Sequence, residues 1–242
     1  MRSTPILMAA ILAAAVTTAP AALAENTASA SLRNFTYELI DLTPEDDSFP
    51  SITFDGAFGF SQAVLYSIEG DLLGFGGTEV FGSAGFANNW GSGSGFVAKD
   101  GVGGQLNIHS GIGIAISENL VNFVLSPNTQ VIFSALSDVA AFYDPDTAAA
   151  FGSTTLLGEL LDSSGATSLQ FSSLMPISYG HNSGMLSVVA NSAGSYTNGW
   201  ISMQSETVVL SVAAPVPEPA SAALMLAGLG LVGGLARRRA RR

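Results

Sequence analysis

The stretch GIGIAISENLVNFVLSPNTQVIF, residues 111–133, decides the fold class. Between residues 112 and 117, isoleucine alternates with glycine, alanine and serine. Between residues 121 and 125, valine, phenylalanine and leucine alternate with asparagine and valine. Pro127-Asn128 is a turn signal, and Val131 and Phe133 resume the alternation after it. Apolar side chains at every second position, interrupted by turn residues, indicate β-strands.

The same period continues on both sides of this stretch. Further candidate strands are residues 35–39, 63–68, 156–161, 169–173, 185–190 and 200–212. Many short strands separated by turn residues predict an all-β, antiparallel two-sheet β-sandwich of the jelly-roll or immunoglobulin-like kind. A short helix over residues 140–151 is the one competing prediction, because Asp144-Pro145-Asp146 could start it. We expect one domain over residues 25–213, since a chain of this length buries a sizeable core.

Glycine is concentrated in one part of this domain. Sixteen of the 27 glycines lie between Gly56 and Gly113. Glycine adopts positive φ without strain and allows tight strand reversals. The region is therefore predicted to hold hairpin tips and loose edge strands.

The N-terminus has the pattern of a secretory signal peptide. Arg2 precedes an apolar run from Ile6 to Val16, and Ala22 and Ala24 flank Leu23 in a small-x-small cleavage site. The run is shorter than the roughly 20 residues needed to cross a bilayer. Residues 1–24 are thus predicted to be removed after Sec-type export. The chain has no cysteine, so its stability in an oxidising compartment must come from core burial.

The C-terminus is predicted to be a short transmembrane helix. Residues 220–236 carry no charge and, as a helix, span about 25 Å. This falls slightly short of a hydrocarbon core of about 30 Å, and arginine side chains that reach the interface extend it. The arginines that follow are Arg237, Arg238, Arg239, Arg241 and Arg242. Positive flanking residues stay in the cytoplasm, so this stop-transfer cluster at residues 237–242 places the body outside.

Ahead of the apolar segment stands Val216-Pro217-Glu218-Pro219. The two prolines lack amide hydrogens and hold the segment extended, which suits recognition by a processing enzyme. This motif, the apolar segment and the arginine cluster together resemble the PEP-CTERM sorting signal of exported proteins of Gram-negative bacteria. The same kind of tail is also known as an ice-binding protein C-terminal domain. The resemblance covers about the last 27 residues, within a sorting tail that we assign to residues 214–242.

The resemblance implies a route and a partner. Proteins with this signal are thought to be recognised at the Pro-Glu-Pro element by exosortase, a membrane-embedded processing enzyme. We therefore expect transient residence in the inner membrane, with the C-terminus in the cytoplasm, and then release to the cell surface or the extracellular matrix.

The body is strongly acidic. Residues 25–213 contain Arg33 and Lys99 as their only fixed cations, against eighteen acidic residues, for a formal charge of −16. Such a surface is repelled by nucleic acid, so we predict no nucleic-acid partner. Calcium prefers carboxylate oxygens, and the best candidate ligands for it are Asp41, Glu45, Asp46 and Asp47. Asp144 and Asp146 are the second candidate. A solvated acidic turn is the competing interpretation, and no other cofactor is expected.

Catalytic patterns are weak in this sequence. The body has only His109 and His181. The segment Gly180-His181-Asn182-Ser183-Gly184 lacks the spacing of a nucleophile elbow and is predicted to be a hairpin loop. His109 is predicted to face solvent from a strand.

These observations favour a non-enzymatic exported protein, structural in an exopolysaccharide matrix or biofilm. The alternative is a carbohydrate-binding or calcium-dependent adhesive module. Its candidate stacking residues are Trp90, Trp200, Tyr179 and Tyr196. A glycoside hydrolase is the third hypothesis, and it needs two carboxylates facing each other across a cleft.

Overall fold

Long strands with alternating burial build the part of the chain that the computed structural model describes, residues 26–162 and 164–212. These residues form twelve strands: β1 (Asn26–Asp41), β2 (Ile52–Tyr66), β3 (Leu72–Thr78), β4 (Gly82–Asn88), β5 (Gly91–Ala98), β6 (Gly101–Ile108), β7 (Gly111–Leu125), β8 (Thr129–Phe142), β9 (Ala148–Leu161), β10 (Thr167–Ile177), β11 (Gly180–Asn191) and β12 (Thr197–Ser211).

The strands are divided equally between two antiparallel sheets. The first sheet has the order β11-β8-β1-β6-β5-β4, and the second has the order β10-β9-β12-β7-β2-β3. The chain passes between the sheets at several turns, including Pro127-Asn128, where Asn128 takes a φ of 50°. The predicted two-sheet antiparallel β-sandwich is confirmed.

The core consists of two separate apolar clusters, one toward each end of the long strands. The phenylalanine cluster contains Phe123 and Phe133 together with leucine, isoleucine and methionine side chains. The alanine cluster contains five alanines beside Leu65, Leu106 and Ile108. β1 contributes Leu32 to the first cluster and Ala28 to the second.

Between the two clusters lies a polar waist of buried hydroxyl groups. The Ser61 and Ser117 hydroxyls lie 2.8 Å apart, and Ser117 Oγ donates to the Gly103 carbonyl oxygen at 3.0 Å. The Ser137 and Thr154 hydroxyls are paired at 2.6 Å. Each of these four hydroxyls has a partner, which offsets the cost of its burial, whereas the neighbouring Ser205 hydroxyl on β12 is buried without one.

The predicted helix over residues 140–151 is wrong. β8 runs to Phe142 and β9 begins at Ala148, and the Asp144 carbonyl oxygen accepts hydrogen bonds from the amides of Thr147 and Ala148 in the turn between them. Ala141 and Ala150 are buried in the alanine cluster. These alanines therefore provide small inward-facing strand positions where the sheets approach closely.

The glycine-rich region was predicted only in part. β3 and β4 are indeed edge strands, and Gly70 lies in a turn with a φ of 97°. Other glycines lie inside strands because the two sheets touch there: a Cβ on Gly76 would overlap the backbone of Gly85 on the opposite sheet. These edges are packed closely, not loosely.

Within residues 26–162 and 164–212, no helix has the length and hydropathy needed to cross a bilayer.

Candidate functional site

The outward face of the first sheet is the best candidate site in the described body, and we call it the polar face. Its strands place small polar side chains outward because the intervening residues of β1, Ala28, Ala30 and Leu32, point into the core. The outward residues are Thr27, Ser29 and Ser31 on β1, Ser92 and Ser94 on β5, and Gln105 and Asn107 on β6.

Strand register aligns these residues in rows across the sheet. Gln105 stands opposite Ser29 on one side and Ser94 on the other. Asn107 stands in the same way between Thr27 and Ser92. Neighbouring strands are about 4.8 Å apart, so each row sets hydrogen-bonding groups at regular intervals.

Two adjoining depressions make the polar face concave. One has a volume of about 690 Å³ and the other about 590 Å³, and both are lined by Ser29, Ser94 and Gln105. Each lies within the range of about 300–1,000 Å³ that is usual for ligand sites. The face can therefore offer several donors and acceptors to one extended ligand.

Charged and aromatic groups border this face. The Arg33 guanidinium lies 5.1 Å from the centre of the Phe96 ring, within cation–π range. On the opposite side, His181 Nε2 lies 3.0 Å from Asp138 Oδ2, with both side chains about half exposed. An exposed pair of this kind adds little stability, so both groups are available to a ligand.

Of the four predicted stacking residues, Tyr179 contacts an aromatic ring that borders the polar face. Its ring packs edge-to-face against Phe142 at 6.2 Å, and Phe142 lines the smaller depression. Trp90 lies in the turn between β4 and β5, Tyr196 in the loop before β12, and Trp200 on β12 of the other sheet. The structure therefore does not bring these four aromatic residues together into one platform.

The predicted calcium ligands lie in the turn after β1. The carboxylate of Asp41 accepts from the Thr43 amide, and that of Asp46 accepts from the Thr43 hydroxyl at 2.7 Å and the Ser48 amide at 2.9 Å. The Thr43 hydroxyl, followed by the Ser48 amide, lowers the pKa of Asp46. Among residues 26–162 and 164–212, no group of three or more acidic or histidine side chains is arranged to hold a metal ion. Asp41 and Asp46 thus take part in a hydrogen-bonded turn, and calcium binding by Asp41, Glu45, Asp46 and Asp47 stays a prediction.

The second acidic candidate also forms a turn. The Asp144 carboxylate accepts from the Asp146 amide at 3.1 Å in the connection between β8 and β9.

Both histidines lie where the sequence did not predict them. His181 belongs to β11, so the hairpin loop predicted for residues 180–184 is the beginning of a strand. His109 follows the end of β6, is half-buried, and has its Nδ1 buried without a hydrogen-bond partner. Sequence reasoning missed the polar face itself. The alternating serines of SAS at 29–31 and GSGSG at 91–95 were its signal, and serine alone does not distinguish a ligand face from a solvated one.

The remaining predicted residues lie outside the described part of the chain. They are Ala22 and Ala24 at the signal cleavage site, Val216, Pro217, Glu218 and Pro219 of the sorting motif, and the arginines from Arg237 to Arg242.

Comparison with known proteins informs the C-terminal tail of the chain. No curated protein matches the chain, and no solved structure matches it. A family model described as the PEP-CTERM protein-sorting motif matches residues 215–242. The motif implies processing by exosortase and export to the cell surface through membrane-anchored sorting. The chain therefore carries a PEP-CTERM protein-sorting motif at residues 215–242.

Proposed function

We propose that this is a non-enzymatic protein of the cell surface or extracellular matrix, structural in an exopolysaccharide or biofilm. The match of residues 215–242 to the sorting motif carries the proposal. The acidic, cysteine-free sandwich supports it, because high net charge keeps an exported protein soluble. Residues 1–24 direct Sec-type export and are then removed, and the apolar segment at 220–236 holds the body outside the inner membrane until exosortase acts.

Deletion of the tail tests the sorting step. The full chain and a chain ending at Ala214, both carrying the same epitope in the body, are compared by cell fractionation. We expect the full chain at the cell surface or in the matrix, and the truncated chain in the medium or periplasm. Identical distribution of the two chains would contradict the proposal.

Mass spectrometry of the mature protein tests processing. The expected surface species begins at Glu25 and lacks the cluster Arg237–Arg242. If every cellular fraction retains these arginines, the tail is a permanent anchor. A Pro217→Ala, Glu218→Ala, Pro219→Ala variant keeps the apolar segment and the arginines, and we expect it to accumulate unprocessed in the membrane.

The second candidate function is polysaccharide binding, and the polar face favours it. Rows of hydroxyl and amide groups in a concave surface suit a ligand with many hydroxyl groups, and the bordering Phe142 and Tyr179 rings offer apolar contact.

Affinity electrophoresis of the mature protein in gels containing the cells' own exopolysaccharide tests this function. We expect retardation that is lost in a Gln105→Ala, Asn107→Ala variant. Retardation should be kept in Gln62→Ala, which removes an outward amide from the second sheet. Equal retardation of all three proteins would exclude the polar face as the binding surface.

A further inference from the structure

A second concavity lies away from the polar face, at the end of the sandwich that holds the phenylalanine cluster. We call it the aromatic mouth. The rings of Phe35, Tyr37, Phe54 and Phe81 line it, and its volume is about 510 Å³. Lys99 and Asn119 are also part of its lining.

The mouth is open because, in each sheet, one strand extends beyond the end of its pairing with a neighbouring strand. β1 pairs with β6 only as far as Leu32, although it continues along β8 to Asp41. β2 pairs with β7 from Ile52 onward, but with β3 only from Ser61. The sandwich is thus open between the second half of β1 and the first half of β2.

A backbone irregularity marks each of these two strands. The register of β1 shifts between Arg33 and Thr36, where Asn34 has a φ of 56°. The register of β2 shifts between Asp55 and Ala57, where Gly56 has a φ of 69°. Bulges re-aim side chains and are frequent beside functional sites. Positive φ is uncommon for a residue other than glycine, and asparagine is one of the few that adopt it.

The rings that line the mouth are incompletely buried. Tyr37 and Phe54 meet edge-to-face at 5.2 Å, and Tyr37 is 48% exposed. Phe35 stacks at 5.7 Å on Phe133 of the core. The mouth is therefore an apolar surface continuous with the phenylalanine cluster and open to solvent, which is typical of a binding site for an apolar group.

The polar groups that line the mouth indicate which polar head group a ligand with an apolar part would carry. Lys99 is one of only two fixed cations between residues 25 and 213, and no acidic side chain lines the mouth. Lys99 is exposed in the turn between β5 and β6 at the border of the rings, and its ammonium group can attract an anion locally although the formal charge of the body is −16.

Asn119 holds this cation's backbone in place. Its Nδ2 donates to the carbonyl oxygens of Ala98 at 2.9 Å and Lys99 at 3.3 Å. Asn119 is only 1% exposed, and its Oδ1 is buried without a hydrogen-bond partner. This oxygen does not bind a carboxylate, because both groups are hydrogen-bond acceptors, so Asn119 fixes the backbone beside the cation and does not contact the anion itself.

We propose that the aromatic mouth binds an amphiphilic anion, a molecule with a hydrocarbon body and a carboxylate head. The hydrocarbon lies among the four rings, and the carboxylate accepts a charge-assisted hydrogen bond from Lys99. A sugar is disfavoured, because polar groups are few in this lining of rings and aliphatic side chains; they are those of Thr36, Lys99 and Asn119 and the Tyr37 hydroxyl.

Calorimetric titration of the full chain with decanoate, decanol and decyltrimethylammonium below their micellar concentrations tests the proposal. The three probes share a ten-carbon chain and differ in the charge of the head. We expect decanoate to bind saturably and at least about 10-fold more tightly than the other two. Equal affinities for decanoate and decanol, tighter binding of the cation, or no saturable binding of decanoate would each overturn the proposal.

Single substitutions test whether decanoate and decanol bind at the aromatic mouth. Lys99→Met should weaken decanoate about 10-fold and leave decanol nearly unchanged, because it removes the charge and keeps the aliphatic stem. Phe54→Ala should weaken both probes. Phe75→Ala, which removes an exposed ring from β3, is the matched control and should change neither. Decanoate binding that is insensitive to Lys99→Met and Phe54→Ala would place the site elsewhere in the chain and overturn the proposal.

Discussion

The two core clusters are built from the same strands by opposite means. In the phenylalanine cluster, Phe133 stacks near Phe35, Phe123 and Phe171, with ring centroids 5.7, 5.2 and 6.4 Å away. Large side chains fill the space between the sheets there. At the alanine cluster, the sheets approach until backbone meets side chain: a Cβ added to Gly104 would lie 3.2 Å from the Cβ of Ala115 on the opposite sheet. At one end, large side chains fill a wide gap between the sheets. At the other end, small side chains allow the sheets to lie close together.

Tolerance to substitution therefore depends on a residue's position along its strand and not on the strand alone. A loss of volume should harm the phenylalanine cluster most, because a cavity remains. A gain of volume should harm the alanine end most, because close-packed backbones cannot separate locally.

The largest expected effect is that of Phe133→Ala. Phe133 is fully buried at the centre of the aromatic contacts, and truncating such a ring usually lowers the free energy of unfolding by about 3–5 kcal/mol. Urea denaturation followed by circular dichroism measures it. Phe75→Ala is the control, because this ring is 61% exposed and its removal should change stability by less than about 1 kcal/mol. Similar losses for both variants would show that the phenylalanine cluster is not a packed core.

The next effect is that of Gly76→Ala at the glycine-rich edge. The added Cβ would overlap the Gly85 backbone, which cannot rotate away as a side chain can. We expect a loss of about 1–3 kcal/mol in the free energy of unfolding, typical of overpacking. Gly194→Ala is the matched control, since the nearest atom to its new Cβ lies 4.0 Å away. A neutral Gly76→Ala would mean that the sheets are separable at this edge.

The alternation in residues 111–133 was sufficient to predict strands and the sandwich, but it could not predict the difference between the phenylalanine cluster and the alanine cluster. Gly113, Ala115 and Ser117 face the interior, and Ile112, Ile114 and Ile116 lie half-buried on the outer face of the second sheet. Period 2 identifies a strand but not which face is buried when both faces carry apolar residues. The inward face depends on the local distance between the sheets, which is a tertiary property.

The candidate sites also show that residue spacing along the chain does not predict tertiary contacts. The sorting motif is a contiguous sequence and could be recognised directly. The polar face joins β1, β5 and β6 through register, and the aromatic mouth joins Phe35, Phe54 and Phe81 from three separate segments. Neither could be read from the spacing of residues along the chain.

A smaller effect is expected for Ser117→Ala, at the waist between the two clusters. The substitution leaves the Gly103 carbonyl oxygen without its donor and the Ser61 hydroxyl without its partner. We expect a loss of about 1–2 kcal/mol in the free energy of unfolding. In a double-mutant cycle with Ser61→Ala, the combined loss should be smaller than the sum of the single losses, because the second substitution removes a group already left unpaired. Additive losses would show that the two hydroxyls are independent.

The smallest effect is a pH dependence in an exposed turn beside the phenylalanine cluster. The Ser164 hydroxyl, followed by the amides of Ser164 and Ala166, donates to the Asp162 carboxylate and lowers its pKa from the ordinary value of 3.8. A carboxyl with a lowered pKa in the folded state stabilises the turn above pH 3.8, and this contribution is lost as the pH falls through the folded pKa. Carboxyl-carbon NMR should therefore give a titration midpoint for Asp162 below 3.8, and exchange of the Ala166 amide should accelerate through that midpoint. Asp162→Asn should remove the acceleration, whereas a midpoint at or above 3.8 would show that the hydrogen bonds do not persist in solution.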